Sequence, residues 1–339
     1  MGKFITITDL AKQLGISHST VSRALADNPR ISAHTKKRVR DLAKELGYQK
    51  NSTSHQLSKG KSQIIAVILP DLSIQFFSKV LEGINFVLRD SPYSILLFNT
   101  SESIDSEIKA IESCLKHRAD GVLAAISMQT KSFEHFEKLI RHEVPLVFFD
   151  RVANFLPVPK VIVNDYQASF NATNYLIESG CKQIAHITGS KNLNNSNNRL
   201  YGYLDALTGK GIEINEKLIH YYDLKPASVD RFINQLILNF PNLDGLFVFN
   251  DYLANYAINL LKNLGKSIPN DISVIGFSDE PVATYMSPQL STVEQIAHKM
   301  GALASQKIIS ILKHNEPVLD EKIIINPNLV LRETTNPIE

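Results

Sequence analysis

The sequence is poor in cysteine, tryptophan, glycine and proline, and it has no long apolar run. Its 339 residues include two Cys, no Trp, 15 Gly and 14 Pro, and 44% of its side chains are apolar. This balance is typical of globular rather than disordered chains, and the length allows more than one domain. No apolar run is long enough to cross a membrane, and the start, MGKFITITDLAK, lacks the apolar core of a signal peptide. We therefore expect no membrane association and a cytoplasmic location.

Cysteine chemistry and enzyme signatures are also missing. Cys114 and Cys181 stand far apart, with no C-x-x-C pair, which argues against a disulfide framework and favours reduced, buried thiols. The chain has no G-x-x-x-x-G-K-[ST], no G-x-G-x-x-G after a strand and no G-x-S-x-G. The stretch GFSDE, residues 276–280, resembles a nucleophile turn but lacks its second Gly. We expect no enzyme activity, no cofactor and no metal.

Positive charge is concentrated at the start of the chain. Residues 1–62 hold 12 Lys and Arg against four Asp and Glu, a formal charge of +8, whereas the other 277 residues hold 24 against 30, a formal charge of −6. A basic segment on an acidic body predicts a nucleic-acid partner for that segment. Its affinity would come largely from phosphate contacts and would fall steeply with salt.

The stretch ITDLAKQLGISHSTVSRAL, residues 7–25, predicts two short helices joined by a tight turn. Thr8 can cap the first helix and Ser17 the second, while Gly15 suits a left-handed corner between them. Apolar residues at one-turn spacing face inward: Leu10, Ala11, Leu14, Val21, Ala24 and Leu25. An ordinary helical hairpin gives the same pattern, but so does a helix-turn-helix, which lays its second helix in the DNA major groove.

The residues after this stretch strengthen the helix-turn-helix interpretation. A third helix is predicted from Ser32 to Leu46, with Gly47 as its stop. The segments NPRIS, TKKRVRDLAKELGY and N-x-x-x-x-x-L, from Asn51 to Leu57, continue in register. Together these segments resemble the DNA-binding head of the lactose/galactose repressor family. The resemblance implies a homodimeric, nucleoid-associated transcription regulator that reads an imperfect palindrome in double-stranded DNA.

The resemblance also implies specific DNA contacts. We expect His18, Ser19 and Arg23 to meet base edges, with Thr20 and Ser22 helping on phosphates. Further contacts are expected from Thr8, Ser17, Asn28, His34, Ser54 and Leu57.

Residues 50–62 form a polar linker between a head domain, 1–49, and a body, 63–339. Their composition predicts a flexible tether in the free protein. The resemblance adds that the linker folds into a hinge helix on DNA, where Leu57 wedges into a minor-groove base step. Relatives usually carry Ala, often followed by Arg, just before this leucine. Ser54 and His55 stand there instead, so we expect a hinge that folds less readily.

From Ile64 onward, short apolar runs alternate with amphipathic stretches of helix length. This alternation predicts parallel sheets covered by helices on both faces, in two doubly wound lobes with a ligand site where the strand ends meet. The resemblance specifies a periplasmic-binding-protein-like α/β body behind the all-α helix-turn-helix head. The predicted N-lobe covers about 63–160 plus 292–320, and the predicted C-lobe about 161–291 plus 321–335.

Strand ends supply the candidate effector site. In the motif R-L-x-G-[FYW], Arg199 matches the family arginine that holds the ligand with its planar fork. Phe76 and Phe77 match aromatic residues that flank the ligand, although core packing explains them as well. Asp150 ends the strand LVFFD, where Arg151 could be a purely structural partner. The remaining candidates are polar: Asn195, Asn250, Ser278 and Asp279.

Some of these positions allow a second interpretation. Many relatives carry Asp where Ser278 stands, so either Ser278 makes a weaker contact or the ligand lacks the hydroxyl pair that the Asp would bind. The asparagines at 194, 195, 197 and 198 are expected in a surface loop, with Asn195 alone as a ligand contact, and Asn250 is also a natural helix cap.

We therefore expect a repressor whose operator affinity changes when a mono- or disaccharide binds between the lobes. Induction is the default and co-repression the alternative. A second possibility is a body that responds to a partner protein, as in the catabolite-control branch of the family.

Overall fold

The computed structural model describes residues 5–48, 61–314 and 318–338. The chain divides into two compact units, residues 1–62, termed the head, and residues 63–339, termed the body. Within the described ranges, no helix combines the length and the apolar character needed to cross a membrane.

The head contains α1 (Ile7–Leu14), α2 (His18–Leu25) and α3 (Ala33–Glu45). Ser17 and Ser32 cap α2 and α3 as predicted. The predicted cap at Thr8 is wrong, because Thr6 and Asp9 form a reciprocal pair at the start of α1. The amide of Thr6 donates to Asp9 Oδ2 at 2.8 Å, and the amide of Asp9 donates to Thr6 Oγ1 at 3.3 Å.

A small apolar core holds the head helices together. Leu10, Val21, Ala24 and Val39 are fully buried in it. Gly15 turns the chain between α1 and α2 with φ +65°, and its N–H donates to the carbonyl oxygen of Ala11. The predicted helix-turn-helix arrangement of the head is confirmed.

Strands and helices alternate along the body. The strands are β1 (Ile64–Leu69), β2 (Ser94–Asn99), β3 (Gly121–Ala124), β4 (Leu146–Phe149), β5 (Lys160–Val163), β6 (Ile184–Thr188), β7 (Ile219–Tyr221), β8 (Gly245–Val248), β9 (Ser273–Ile275), β10 (Thr292–Glu294), β11 (Lys322–Ile325) and β12 (Asn328–Val330). The helices are α4 (Gln75–Leu88), α5 (Ile104–Lys116), α6 (Glu134–Arg141), α7 (Asp165–Glu178), α8 (Asn194–Gly209), α9 (Pro226–Asn239), α10 (Asp251–Asn263), α11 (Val282–Tyr285) and α12 (Ala297–His314).

Two parallel sheets organise these elements. The N-lobe sheet has the order β11-β5-β4-β3-β1-β2, and the C-lobe sheet has the order β7-β6-β8-β9. Successive residues of β1 bury opposite faces, so that Val67 and Leu69 pack with α4 and α12 while Ala66 and Ile68 pack with α5. The predicted doubly wound architecture is confirmed in both lobes.

The division between the lobes differs from the prediction. β5 pairs with β4 and with β11, so residues 161–163 and 322–325 belong to the N-lobe rather than to the C-lobe. Residues 292–294 belong to the C-lobe rather than to the N-lobe, because they are bonded to residues after β9. Short apolar strands fit either sheet equally well, and only pairing decides between them. The N-lobe therefore comprises the described residues of 63–163 and 297–325, and the C-lobe those of 164–294 and 328–338.

The chain passes between the lobes at three places: after β5, after β10, and between β11 and β12. β10 and β12 pair antiparallel, with Thr292 opposite Val330. The two connections that continue from these strands therefore leave the C-lobe side by side.

Helices α4 and α12 cross at two glycines in the N-lobe. A Cβ atom on Gly83 would overlap the carbonyl oxygen of His298, and a Cβ atom on Gly301 would overlap the carbonyl oxygen of Val80. Because the obstructing atoms belong to the backbone, neither helix can yield by a side-chain rotation.

We expect Gly83→Ala to lower the free energy of unfolding of the body by about 1–3 kcal/mol, because α4 and α12 would have to separate. Urea denaturation followed by circular dichroism would measure the change. Gly209→Ala is a matched control, since Gly209 also lies in a helix but a Cβ atom there meets nothing within 4 Å. A Gly83 variant as stable as the Gly209 variant would contradict this packing.

Candidate functional site

The exposed face of α2 is the candidate DNA interface of the head. His18, Ser19, Ser22 and Arg23 are all exposed. Ser17 Oγ accepts a hydrogen bond from the amide of Thr20 at 3.1 Å and so caps the helix at this end. The N-terminus of a helix carries a partial positive charge that favours phosphate.

The basic residues of α3 are partly neutralised within the head. Asp27 Oδ1 lies 3.0 Å from Lys36 Nζ and 2.8 Å from Arg40 Nη2. The hydrogen bond and charge of Lys36, followed by the charge of Arg40, lower the pKa of Asp27. Lys37 and Arg38 lie exposed on the same helix.

The other predicted DNA contacts are more scattered. Thr8 is exposed in the first turn of α1, and His34 is exposed in the first turn of α3. Asn28 Oδ1 accepts the amide of Arg30 at 2.9 Å, which fixes the loop after α2. Ser54 and Leu57 lie outside the described residues.

The candidate effector site is a cavity between the two lobes of the body. Its lining comes from both lobes and from the second connection: Ile74, Phe76, Phe77, Asp150, Arg151, Asn195, Arg199, Phe249, Asn250, Ser278 and Gln295. The cavity measures about 30 Å³, room for roughly one or two water molecules. The cleft between the lobes is therefore narrow in this structure, with polar and aromatic side chains along its walls.

Arg199 anchors the C-lobe side of this cavity. Its Nε donates to Asp165 Oδ1 at 2.8 Å, its Nη1 donates to the carbonyl oxygen of Phe249 at 2.6 Å, and its guanidinium carbon lies 3.5 Å from the centroid of the Phe277 ring. Burial, opposed by the charge of Arg199, raises the pKa of Asp165 to about 6. The remaining nitrogen, Nη2, has no hydrogen-bond partner among the described residues.

Asp150 is the buried carboxylate on the N-lobe side. It follows β4 with φ +56° and is 4% exposed. Its Oδ1 is 3.5 Å from Asn195 Nδ2 and 3.4 Å from Gln295 Nε2, and its Oδ2 is 3.8 Å from Arg151 Nε. These contacts are too long to satisfy a buried carboxylate, and burial raises the pKa of Asp150 despite Arg151 and Arg199.

Arg151 is held from behind by a second buried carboxylate. Its Nη1 donates to Glu102 Oε1 at 2.7 Å and to Glu102 Oε2 at 3.0 Å, and its guanidinium carbon lies 5.3 Å from the centroid of the Phe77 ring. Arg151 Nε is buried without a hydrogen-bond partner. The sequence left open that Arg151 is only a structural partner of Asp150. The structure shows that Arg151 pairs more closely with Glu102, at 2.7 Å, than with Asp150, at 3.8 Å.

The predicted surface loop at residues 194–198 is wrong, because these residues form the first turn of α8. Asn194 Oδ1 accepts the amide of Val152 at 2.8 Å, which links the lobes directly. Asn195 is 2% exposed and lines the cavity. Asn250 lines it as well and caps α10, as its position before that helix suggested.

The remaining candidates divide between the cavity and its surroundings. Phe76 and Phe77 line the cavity and pack edge to face, with ring centroids 5.1 Å apart. Ser278 also lines it, and its Oγ donates to Gln295 Oε1 at 2.8 Å. Asp279 lies outside the cavity lining, where its Oδ1 is 2.7 Å from Arg332 Nη2. A backbone with φ +126° at Ser278 and +55° at Asp279 turns the two side chains apart.

Sequence reasoning missed Gln295 and Arg151 as cavity residues. Gln295 follows β10 on the second connection, and a single polar residue in a loop gives no signal of its own. The charged partner behind Arg151, Glu102, comes from a distant part of the chain. Among the described residues, no group of three His, Cys, Asp or Glu side chains is placed to hold a metal ion.

One further link joins the lobes beside the cavity. Helix α4 begins without a side-chain cap of its own, and the amide of Phe76 donates to Glu280 Oε1 of the C-lobe at 3.3 Å. Asp251 holds this loop, since its Oδ2 accepts the amide of Glu280 at 2.8 Å. Burial raises the pKa of Asp251 to about 7.

Comparison with known proteins matches both units. Residues 6–51 match the family of bacterial regulatory proteins described as the lacI family, and residues 62–331 match the family of periplasmic binding proteins and the sugar binding domain of the LacI family.

Among individual relatives, the probable HTH-type transcriptional repressor ExuR of Bacillus subtilis is 32% identical, over 97% of this chain and 98% of its own. Catabolite control protein A of Priestia megaterium is 29% identical, over 98% and 99%. The solved structure of the lac repressor dimer bound to operator and the anti-inducer ONPF has a TM-score of 0.84 at 22% identity, over 98% of this chain and 99% of that one. This chain belongs to the lacI family of bacterial regulatory proteins.

Proposed function

We propose that the protein is a cytoplasmic, homodimeric repressor whose affinity for a palindromic operator is controlled by a saccharide bound between the lobes. Buried polar groups whose hydrogen bonds are long or missing, at Asp150 and Arg151, carry this proposal. Buried polar groups in proteins are nearly always hydrogen-bonded, to the protein, to ordered water or to a ligand. A small polar ligand between the lobes would do so.

The head supplies the DNA-binding half. Exposed polar and basic side chains on α2 would read base edges, and the basic surface would hold phosphates. A dimer would pair two such heads on the two halves of a palindrome. The lac repressor, which shares this fold, is a dimer on its operator.

The closed cavity supplies the regulatory half. At about 30 Å³ it is far smaller than a hexose, so binding would have to separate the lobes. That opening would stretch the bond from the amide of Val152 to Asn194 and the bond from the amide of Phe76 to Glu280. A ligand that favours one lobe arrangement would thereby change operator affinity through linkage, with induction as the default.

The alternative of a body controlled by a partner protein is not favoured. A partner on the outer surface would leave the buried groups at Asp150 and Arg151 as they are. The family that matches the body is described by sugar binding, which supports control by a small molecule.

We expect Arg23→Ala to weaken binding to the cognate operator by about 1–3 kcal/mol, because a side chain bound to a base edge is lost. Fluorescence anisotropy with a labelled operator fragment, selected from genomic DNA, would measure the loss. Binding to random DNA should change much less. Arg38→Ala is the control, since an exposed arginine of α3 that meets only phosphate would weaken both DNAs equally. If Arg23→Ala weakened binding to the operator and to random DNA equally, Arg23 would contact a phosphate rather than a base.

We expect Arg199→Lys to abolish operator release by the effector while the head still binds operator DNA. Lysine keeps the positive charge opposite Asp165. It lacks the planar guanidinium, which bonds the carbonyl oxygen of Phe249 through one nitrogen and offers a second nitrogen to the cavity. Anisotropy with and without a panel of hexoses and their acids would show this.

Arg199→Ala should in addition lower the free energy of unfolding of the body by about 3–5 kcal/mol, because Asp165 would stay buried without its partner. A lysine variant that responds to the effector like the parent would exclude Arg199 from the ligand site.

A further inference from the structure

Three amide side chains at the cavity are locked with their oxygens turned away from it. Asn195 Oδ1 accepts the amide of Ser196, and Asn250 Oδ1 accepts the amide of Leu253, each at 2.8 Å. Gln295 Oε1 accepts the hydroxyl of Ser278, also at 2.8 Å. A backbone N–H can only donate, so the oxygens of the two asparagines are fixed on their backbone donors. The amino groups of Asn195 and Gln295 make only long contacts, of 3.5 and 3.4 Å, with Asp150 Oδ1, so each keeps N–H groups for a ligand, as does Asn250.

Two guanidinium groups add to these donors. Arg151 is 4% exposed, and its Nε is buried without a hydrogen-bond partner. Arg199 uses Nε and Nη1 on Asp165 and Phe249, which leaves Nη2. Five side chains thus offer N–H groups to the ligand.

Acceptors are scarce at the same place. Among the described side chains that line the cavity, the acceptor oxygens not already pinned are the carboxylate of Asp150 and the lone pairs of Ser278 Oγ. A hydroxyl both donates and accepts, whereas a carboxylate only accepts, so a sugar that carries a carboxylate in place of one hydroxyl brings more acceptors and one hydrogen fewer that needs a partner. The cavity matches a ligand that is rich in acceptors.

We propose that the effector is a sugar acid, whose carboxylate accepts hydrogen bonds from Arg151 Nε and from the amino groups around Asp150. This inference rests on the proposed function, since it names the chemical class of the same effector. Two carboxylate oxygens accept up to about four hydrogen bonds and donate none, which is what the donor-rich lining requires.

The charges at the cavity favour a carboxylate over a phosphate. Glu102, Asp150 and Asp165 face Arg151 and Arg199, so the cluster carries a net charge of −1 when every group is ionised. Burial raises the pKa of Asp150, which lowers the cost of protonating this group beside a ligand anion. A carboxylate adds one negative charge to this cluster, whereas a phosphate monoester adds about −1.5 to −2 and is therefore repelled more strongly.

Calorimetric titration of the full-length protein would test the ligand class. The probes form matched series that differ only at C6: D-galactose, D-galacturonate and D-galactose 6-phosphate, and the same three forms of glucose. We expect the tightest binder to be an acid, at least tenfold tighter than its neutral parent and tighter than its phosphate. A neutral sugar that binds as tightly as its acid, or a phosphate that binds more tightly, would overturn the inference.

Variants would connect this preference to Arg151. Arg151→Gln should reduce the advantage of the acid over the neutral sugar by about tenfold, measured as the ratio of the two affinities in the folded variant. Arg141→Gln is the control for the same change of charge, since Arg141 is exposed on α6 of the same lobe and pairs with Glu137. An unchanged preference in Arg151→Gln, or an equal loss in Arg141→Gln, would contradict the role of Arg151.

Operator binding in the presence of the same probes separates the two proposals. Release of operator DNA by an acid supports both of them. Release by a neutral sugar, with no effect of its acid, leaves the proposed function standing and overturns the sugar-acid inference. A protein that binds none of the probes and whose operator affinity responds to none of them would overturn both.

Discussion

The buried contact between Arg199 and Asp165 is the interaction on which the C-lobe half of the cleft depends. It joins α8 to α7, and through the carbonyl oxygen of Phe249 it reaches the end of β8. Burying the guanidinium of Arg199 without a carboxylate beside it would cost too much free energy. Burying the carboxylate of Asp165 without the guanidinium would cost too much as well. The pair therefore fixes three elements relative to one another and holds one nitrogen of Arg199 ready at the cavity.

The N-lobe half of the cleft also depends on a buried pair of an arginine and a carboxylate. Glu102 holds Arg151 from behind, as Asp165 holds Arg199, and the amide of Met128 also donates to Glu102 Oε2 at 2.6 Å. Each lobe thus brings one arginine to the cavity on a carboxylate that is itself buried. Asp150 lies between the two arginines without a short bond to either, so the least satisfied group stands where the lobes meet.

Much of the fold can be predicted from the sequence because local patterns decide it. Helices α2 and α3 begin where Ser17 and Ser32 can cap them, because a serine side chain accepts a hydrogen bond from a free amide of the first turn. Which sheet β5 joins depends on partners far along the chain, which a run of four residues does not encode. Thr6 replaces Thr8 as a cap because Asp9 is three residues away from it, at the spacing that permits a reciprocal pair.

The candidate site shows the same contrast. Arg199 and Asn250 stand out because they belong to recognisable motifs or strand ends. Gln295 and Glu102 do not, since each acquires its place only when distant segments come together. The orientation of an amide, which decides whether it offers oxygen or nitrogen, depends on a neighbour such as Ser196 and is set only by the folded chain.

The antiparallel pairing of β10 with β12 limits how the lobes can move. Two separate strands would allow rotation about either one, and hence twisting as well as opening. Because the two strands are hydrogen-bonded to each other, the connections that continue from them leave the C-lobe side by side, and the connection after β5 is the third. Connections held side by side in this way resist twisting of one lobe against the other more than they resist opening of the cleft.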